Sequence, residues 1–559
     1  MIGHRFDQLF FIVVTWLLPA ADCIAWTPPS SHTHRVGTKT RDIKNDKFGQ
    51  IVRRGGSQDD DGGSTVRVHR VLILMDVFCD YHGQYLTEVA REVYGVSCVH
   101  VLSEYMFNYF LSIRERQQQQ QDDESEIPPM PPIPHMPSST DEAIEWHRGL
   151  LLKLQNHPAG KNYDEIEIRG LICESDPGLD DSERLSAWLN VTNHNGFNEA
   201  RRNKFLTIAT LASKGIPTVQ QKLCDTVEEA LDFATDQFSS KSANFVVVKP
   251  QRGCASDDVF LCDNLESVHE AYDTIKGSTV LGSPTKKHES VLVQEYAVGQ
   301  EYAIDTVSKN GKLKIAAVWK YDKRKQPPTI EQKSTTDEKL TTNESNRQVY
   351  YSTKLYDDGD NFLSNENSDP LLPIIYQYLD DCLNALEIKW GVTHSELIIT
   401  PNGPRLVEVN CRQHNMDFVP LTDNGIGYNL YDMLLAAYFG DDEDQDIEPD
   451  LNKDARVNWD LLPDYPSTRM NAAMVHLVND KRGTLKSLNE SALYEIQAMQ
   501  SVLDLEIFPE FAQPGVSVLE PTVDIKTDAG WIQMIHPSDE IFQRDYDRIM
   551  ELMPTLFEV

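Results

Sequence analysis

The sequence predicts a multidomain α/β protein, and three observations predict it. Strand, helix and strand patterns alternate from Val71 onward, as in a parallel sheet. Two apolar strands flank a turn at residues 401–403, which indicates a β-hairpin. The chain has 559 residues, 40% of them hydrophobic, which is enough for about three domains of roughly 100 to 200 residues each.

Residues 1–25 are predicted to be a signal peptide. Basic His4 and Arg5 precede an apolar run from Leu9 to Ala20, as in secretory leaders. The run is shorter than the ~20 apolar residues that span a bilayer. A signal anchor is therefore the less favoured alternative, and no stable membrane insertion is expected.

Residues 26–65 are predicted to be a transit-peptide-like segment. The stretch from Ser30 to Arg54 is rich in hydroxyl and basic residues and poor in acids. The sequence from Ile24 to Pro28 resembles the cleavage motif of bipartite presequences in algae with complex plastids. Delivery to a plastid is therefore expected, with secretion or the endoplasmic reticulum as the alternative.

The charge and the cysteines exclude two classes of site. A net charge of −35 repels polyanions, so a nucleic-acid surface is not expected. The nine cysteines form no CxxC pair and no grouping with histidine that would suggest zinc. This spacing predicts small packing residues and argues against a structural zinc site.

The first folded part is predicted over residues 66–195, as an α/β domain. A glutamine run, an acidic stretch and a proline cluster interrupt it, which predicts a disordered insertion over residues 116–139. The predicted strands are Val71 to Met75, Val96 to Leu102 and Ile166 to Ile172, and the predicted helices are Tyr85 to Val93 and Glu142 to Leu154.

The second part is predicted over residues 196–440, followed by an acidic linker at 441–455 and an α+β domain at 456–559. Asn198 is expected to cap a helix from Ala200 to Ser213. The other predicted elements are strands at Phe245 to Lys249, Val291 to Glu295, Tyr302 to Ser308 and Leu313 to Trp319, and helices at Leu371 to Leu386 and Gly427 to Phe439.

The hairpin at 401–403 carries the clearest chemical signal. A three-residue connection with Gly403 in the left-handed position sets Thr400 opposite Pro404. That register places Glu396 opposite Glu408, with facing β carbons roughly 5 Å apart. Two like charges so close repel each other unless a cation lies between them.

The period of the strand adds Asn410 to the same face. Two carboxylates and an amide oxygen are hard ligands of the kind that Mg²⁺ takes together with nucleotide phosphates. The alternative is a solvated sheet face on which the paired Glu396 and Glu408 are incidental. Apolar neighbours on both strands disfavour it, because buried acids need partners.

Arg412 follows two residues after Asn410. A guanidinium group there suits a transferred phosphate or a substrate carboxylate. The alternative for Arg412 is a structural ion pair, which also suits guanidinium.

The motif formed by Glu396 and then Glu408-Val409-Asn410-Cys411-Arg412 resembles the metal motif of the ATP-grasp superfamily. Three further segments resemble that superfamily in the same order: 202–204 with the helix that follows, 246–250 and 293–301. The chain is most similar to the branch of L-amino-acid ligases and carnosine-synthase-like enzymes. The resemblance implies an ATP-grasp fold of two α+β subdomains, preceded by a Rossmann-like domain and followed by a small α+β domain.

The resemblance also implies roles for individual residues. ATP and Mg²⁺ or Mn²⁺ are the expected cofactors, and Arg412 is the expected catalytic residue. The metal ligands would be Glu396, Glu408 and Asn410, and the substrate residues His414 and Asn415. Among the ATP-binding residues, Lys204, Lys249 and a phosphate loop with Ser256 would meet the phosphates. Gln294, Glu295 and Ala297 would bind adenine, and Glu301 would accept from the ribose hydroxyls.

The activity implied is ATP-dependent ligation of a carboxylate and an amine through an acyl phosphate, with an amino-acid substrate and release of ADP and phosphate. The expected partners are small-molecule carboxylates and amines, and a homodimer stays open. Two alternatives remain. One is a biotin-carboxylase-like enzyme, although the chain has no biotinyl-lysine segment; the other is a nucleotide-binding module without turnover.

Overall fold

The computed structural model describes residues 68–77, 81–120, 135–156, 165–239, 244–253, 258–280, 286–325, 348–356, 370–414, 418–440 and 457–559. The predictions for the signal peptide, the transit segment, Ser256, Asn415 and the linker at 441–455 lie outside these ranges. Within them, no helix is both long and apolar enough to cross a bilayer.

The first domain is a three-stranded parallel sheet with helices, as predicted. Strand β1 lies between β2 and β3 and is parallel to both. The elements are β1 (Val68–Met75), α1 (Tyr81–Tyr94), β2 (Ser97–Val101), α2 (Glu104–Gln120), α3 (Thr140–Asn156), β3 (Glu165–Cys173) and α4 (Leu179–Trp188).

The predicted disordered insertion at 116–139 is wrong at both ends. Helix α2 continues to Gln120, since arginine and glutamine are good helix formers. At the other end, His135 pairs with Leu102 in a parallel bridge. Residues 121–134 lie outside the described ranges.

The second unit is a four-stranded antiparallel sheet in the order β4-β7-β5-β6. Two helices pack on it through a core that includes Ala230, Val246, Val268 and Val293. The elements are α5 (Lys204–Ser213), β4 (Gln221–Cys224), α6 (Val227–Ser239), β5 (Val246–Lys249), β6 (Phe260–Cys262), α7 (Leu265–Ile275) and β7 (Val291–Glu295).

The single helix predicted from Ala200 to Ser213 is instead a 3₁₀ turn followed by α5. Asn198 caps the turn at Glu199–Arg201. Asn203 then caps α5, because its side chain accepts hydrogen bonds from two backbone N–H groups of the first helical turn. The break places Lys204 at the first position of α5.

The remaining elements build one large antiparallel sheet. Its eight strands follow the order β12-β11-β8-β9-β10-β13-β18-β16. The elements are β8 (Gln300–Lys309), β9 (Lys312–Lys325), β10 (Gln348–Leu355), α8 (Leu371–Ala385), β11 (Gly391–Thr400), β12 (Gly403–Asn410), α9 (Val419–Gly425), α10 (Leu430–Phe439), β13 (Asn471–His476), β14 (Gly483–Thr484), β15 (Ser487–Leu488), α11 (Glu490–Gln497), β16 (Val502–Ile507), β17 (Val518–Leu519), β18 (Gly530–His536), α12 (Asp539–Leu552) and β19 (Phe557–Glu558).

The prediction of a separate C-terminal domain at 456–559 needs correction. Strand β13 pairs with β10 through Thr353 and Met474, so the C-terminal strands extend the sheet that holds the hairpin. The core beneath this junction also mixes both parts, since Val349 packs with Ala473 and Val475. Burial of apolar side chains on both sides of the boundary explains why the sheet does not stop there.

The two faces of the large sheet have different coverings. On one face, Ile304, Leu397 and Leu406 pack against α8 through Ile375 and Leu379. On the other face, strand alternation places acidic and histidine side chains of β8, β11 and β12. The apolar face fixes the strands, and the polar face becomes the candidate site.

Candidate active site

The hairpin brings the two predicted carboxylates together. Glu396 of β11 pairs directly with Glu408 of β12, which confirms the predicted juxtaposition. The turn itself differs from the prediction, because Thr400 pairs with Gly403 and not with Pro404. An irregularity between Glu396 and Leu397 leaves one extra residue on β12, and this restores the predicted pair.

Glu408 lies in a network of donors. Its carboxylate forms an ion pair with the Lys204 ammonium, and the Asn410 amide donates to its other oxygen at 2.8 Å. Burial alone would raise the pKa of Glu408, but Lys204 and the Asn410 hydrogen bond lower it well below its usual range. Glu408 is therefore ionised at neutral pH.

Glu396 is ionised for a different reason. Burial and the charge of Glu408 raise its pKa, but the neighbouring His394 and the Lys323 ammonium outweigh them and lower the pKa below the ordinary value. His394 Nε2 lies 3.6 Å from Glu396 Oε1. Two partly buried carboxylates thus stay charged side by side, which is the electrostatic condition for holding a divalent cation.

Lys249 ends β5 and is buried, with 4% of its surface exposed. Desolvation and the charge of Lys204 lower its pKa to about 8. The structure shows no hydrogen bond from Lys249 to any described residue, and Glu408, Glu396 and Glu301 act on it through their charge. An ammonium group that donates to no described residue at this place suits an anion.

Lys204 joins the hairpin to the loop that follows β5. Besides contacting Glu408, its Nζ lies 3.4 Å from the Gly253 carbonyl oxygen, and its backbone N–H donates to Gln251 at 2.9 Å. The Asn203 side chain donates to the Gln251 amide oxygen at 3.1 Å. The start of the predicted phosphate loop is therefore anchored on the first turn of α5, while Ser256 lies outside the described residues.

Arg412 forms a structural ion pair, which was the predicted alternative for this residue. Its Nε and Nη2 atoms each lie 2.9 Å from one oxygen of Asp176, and its Nη1 donates to the Gln413 carbonyl at 2.8 Å. Arg412 is buried, with 4% of its surface exposed. Because all three nitrogens bind the protein, Arg412 in this arrangement has an ion-pair role, and its predicted contact with phosphate would require that it leave Asp176.

Arg202 contacts Asn410, one of the predicted metal ligands. Its Nη1 is 3.1 Å from Asn410 Oδ1 and 3.3 Å from Asp176 Oδ1. Sequence reasoning assigned no role to Arg202 or Asp176. The signal for Asp176 was its position just after the carboxyl end of a parallel strand, where ligands bind in open α/β sheets.

The residues predicted to bind adenine lie along β7 and the segment after it. Gln294 is buried and donates to Gln221 at 3.0 Å. The Glu295 N–H donates to Gln220 at 3.0 Å and is not available to a base. Ala297 packs at the edge of the core under α8, and the adenine-binding role of these residues stays a prediction.

Glu301 lies on the polar face with the other acids. It forms an ion pair with Lys323 at 2.6 Å. Lys323 in turn lies over the ring of Tyr350, with its Nζ 4.3 Å from the centroid. The structure brings Glu301 next to the carboxylate pair, and its predicted contact with ribose stays a prediction.

His414 lies at the predicted substrate end of the site. Its ring packs between His394 and Phe418, with centroids 4.1 and 4.4 Å away. Burial and the charge of His394 lower its pKa to about 4. The sequence prediction missed His394 and Asp305. His394 lies two residues before Glu396 on β11, and Asp305 lies four residues after Glu301 on β8, so each shares a strand face with a predicted site residue. This even spacing was the available signal.

A family model described as an ATP-grasp domain matches residues 242–358. Dapdiamide A synthase of Enterobacter agglomerans is 25% identical over 249 residues, covering 44% of this chain and 50% of that protein. Phosphoribosylamine–glycine ligase of Rhodopirellula baltica is 24% identical over 212 residues, covering 38% of this chain and 44% of that protein. The chain thus spans about half the length of the curated relatives it matches.

A solved structure supports the fold over a longer stretch. L-amino acid ligase from Bacillus licheniformis aligns with a TM-score of 0.53 and 16% identity, covering 87% of this chain and 98% of that one. At this identity the likeness concerns the fold alone. It extends well beyond the segment that the family model matches.

Proposed function

We propose that this chain, whose residues 242–358 match a model of the ATP-grasp domain, is an ATP-dependent ligase that joins a carboxylate to an amine. One observation carries the proposal. Two ionised carboxylates, Glu396 and Glu408, face each other on a hairpin, and Lys204 and Lys249 lie beside them. This arrangement provides for a divalent cation and for polyphosphate in the same place.

The donor set fits magnesium. Glu396, Glu408 and the Asn410 amide oxygen would hold Mg²⁺ or Mn²⁺, which neutralises phosphate charge when bound. Asn410 Oδ1 accepts from Arg202 and keeps a second lone pair for a metal. Lys249 would take a phosphate oxygen, which would restore full charge to its ammonium.

The residues act mainly by position and charge. The γ-phosphate end of ATP would lie at Glu396 and Glu408, with Arg202 on the first-domain side of Asn410. A substrate carboxylate placed there would take the γ-phosphoryl group to give an acyl phosphate, and an amine would displace phosphate. We assign no general base, since positioning and electrostatic stabilisation carry most of phosphoryl transfer.

An amino acid is the substrate class we propose. The names of phosphoribosylamine–glycine ligase and of the L-amino acid ligase that shares the fold support it. Such a substrate would lie near His414, which borders a mostly apolar cavity lined also by Ala316, Phe418 and Val419. The apolar lining suits a small uncharged side chain.

The nucleotide product tests the reaction class. The protein is incubated with ATP, Mg²⁺ and a panel of amino acids, and the products are separated by chromatography. We expect ADP, phosphate and an amide. AMP with pyrophosphate would refute the mechanism, and ADP formation that needs bicarbonate but no amine would favour the carboxylase alternative. Tight ATP binding without turnover would favour the nucleotide-binding module.

A further inference from the structure

Three side chains of metal-binding type meet beside the hairpin, and none of them is among the residues proposed to hold magnesium or phosphate. Asp305 of β8 and His394 of β11 are directly opposite each other in the large sheet. His414 reaches the same point from the chain after β12. All three are buried, with 4%, 4% and 8% of their surface exposed, in that order.

The distances between their donor atoms are those of ligands around one ion. His394 Nδ1 lies 3.2 Å from Asp305 Oδ1, and His414 Nδ1 lies 3.6 Å from Asp305 Oδ2. One donor atom from each residue lies within 4.8 Å of the other two. Two ligands that are 2.0–2.1 Å from a tetrahedral ion are separated by about 3.3 Å.

Each of the three groups also has an outer partner. The Trp319 indole donates to Asp305 at 2.7 Å. The far nitrogen of His394 lies 3.6 Å from Glu396, and the far nitrogen of His414 lies 3.4 Å from the Tyr321 hydroxyl. Metal-binding histidines nearly always have such a partner on the second ring nitrogen, which fixes the tautomer and the ring orientation.

His414 Nδ1 provides an independent observation. It is buried, and it makes no hydrogen bond to any described residue. A buried nitrogen without a hydrogen bond is exceptional in a folded protein. It points toward Asp305, and the mostly apolar cavity lined by Gln413, Phe418 and Tyr431 reaches both residues, which offers an ion a way in.

We propose that Asp305, His394 and His414 bind one divalent transition-metal ion of the zinc class, separate from the magnesium of the hairpin. Two imidazole nitrogens and one carboxylate oxygen suit zinc, whereas magnesium prefers oxygen ligands alone. Three protein ligands leave a fourth coordination position open. Glu396 orients His394 in this arrangement. Because Glu396 is also a proposed magnesium ligand, the zinc-class site and the magnesium site are adjacent.

Zinc retention by the full chain tests the proposal. The protein is stripped with a chelator, loaded with Zn²⁺ in excess Mg²⁺, passed through gel filtration and analysed for metal. We expect one zinc per chain. His414→Gln should lower zinc affinity by more than about 100-fold, because loss of an outer partner alone costs roughly 10–100-fold.

Two matched variants locate the ion. His476→Gln alters another buried histidine that is paired with an aspartate, Asp528 at 2.8 Å, and should leave zinc retention unchanged. Glu408→Gln removes a ligand of the magnesium hairpin and should also leave it unchanged. Zinc loss in Glu408→Gln would place the ion in the hairpin and overturn the proposal, as would equal retention in His414→Gln.

X-ray absorption on the zinc-loaded, unaltered protein keeps the test valid if His414→Gln fails to fold. We expect two imidazole ligands in the first coordination shell. A shell of oxygen atoms alone, or zinc retention no higher than that of a protein without such a cluster, would overturn the proposal. Neither measurement depends on turnover, so its result is independent of the ligase activity proposed above.

Discussion

Charge balance at single residues decides what the hairpin can bind. Glu396 and Glu408 would repel each other strongly if they faced only apolar neighbours. The structure places Lys204, Lys249 and His394 around them, and the pKa of each carboxylate lies below its ordinary value as a result. The sequence predicted that a cation was needed but could not show that protein cations already surround the pair.

Glu408→Gln should reduce ADP formation by more than about 100-fold and leave the fold intact. It removes one anionic ligand, and losing an outer partner of a metal alone costs roughly 10–100-fold. Turnover is measured by ADP release, and folding by a melting curve. Glu551→Gln, at an exposed position on α12, is the matched control. Undiminished turnover with a normal melting curve would contradict the assignment of the hairpin.

Nucleotide affinity should fall as pH rises through about 8. Desolvation and the charge of Lys204 lower the pKa of Lys249 to about 8, so the free protein loses this positive charge above that pH. Affinity should decrease by up to about tenfold per pH unit there. Binding of Mg-ATP is measured by calorimetry between pH 7 and 9.

Lys249→Met is the comparison for that experiment. It should bind ATP weakly and with a flatter dependence on pH. An equally steep decrease in the variant would assign the titration to another group.

At the scale of elements, the ends of β3 and β12 are joined by one ion pair across 236 residues of sequence. Asp176 accepts from Arg412 through both oxygens and from Arg202 through one. The pair fixes the first domain against the hairpin. The sequence could not identify Asp176 as the partner of Arg412. A bidentate contact between distant loops depends on how two domains pack and not on local periodicity.

Asp176→Asn should therefore lower the free energy of unfolding by about 3–5 kcal/mol, because the buried guanidinium of Arg412 and the partly buried one of Arg202 lose their counter-charge. Urea denaturation measures the loss. The exposed pair of Arg148 and Glu145 is the control, since Glu145→Gln should cost no more than about 1 kcal/mol. A similar small cost for Asp176→Asn would contradict the structural role.

The segment between β7 and β8 packs against the hairpin at Gly299. A Cβ atom built there would lie 2.1 Å from the Ile399 carbonyl oxygen. Gly299→Ala should displace the segment and cost about 1–3 kcal/mol of stability, with weaker ATP binding. The melting temperature and nucleotide affinity are both measured. The control is Gly149→Ala on α3, where an added Cβ would have no atom within 4 Å. Gly277→Ala would not serve, because the φ of +79° at Gly277 strains any side chain.

Element prediction succeeded where the pattern is local. The strands of the first domain and the hairpin follow from apolar runs and turn residues. The pairing of Glu396 with Glu408 was predicted from a turn with the wrong register, and the extra residue on β12 compensated for the error. The break before Lys204 was missed because a 3₁₀ turn and an α-helix share the same apolar spacing over a few residues.

At the scale of the molecule, the C-terminal strands belong to the same sheet as the site. The sequence predicted an α+β segment there but not the pairing of its strand β13 with β10, because an acidic linker resembles a domain boundary. The zinc-class cluster was missed for a related reason. Asp305 and His394 meet only when β8 and β11 pair in one register, and a single sequence does not define that register.

A chain ending at Gly440 should not fold as a stable unit. Removing the C-terminal part would expose the edge of β10 and the apolar side chain of Val349, which packs with Ala473 and Val475. Solubility and circular dichroism of the shortened chain are compared with those of the full chain. A soluble, cooperatively melting product would show that the large sheet has two independent halves.

The position of β12 affects the association of one chain with another. In the described part of the chain β12 pairs only with β11, so it forms an edge of the sheet. Such edges recruit strands from other chains and seed aggregates. Pro404 offers no N–H to an incoming strand, and Arg405 places a charge beside it. The edge strand that carries Glu408 is thus poorly suited to fibril growth.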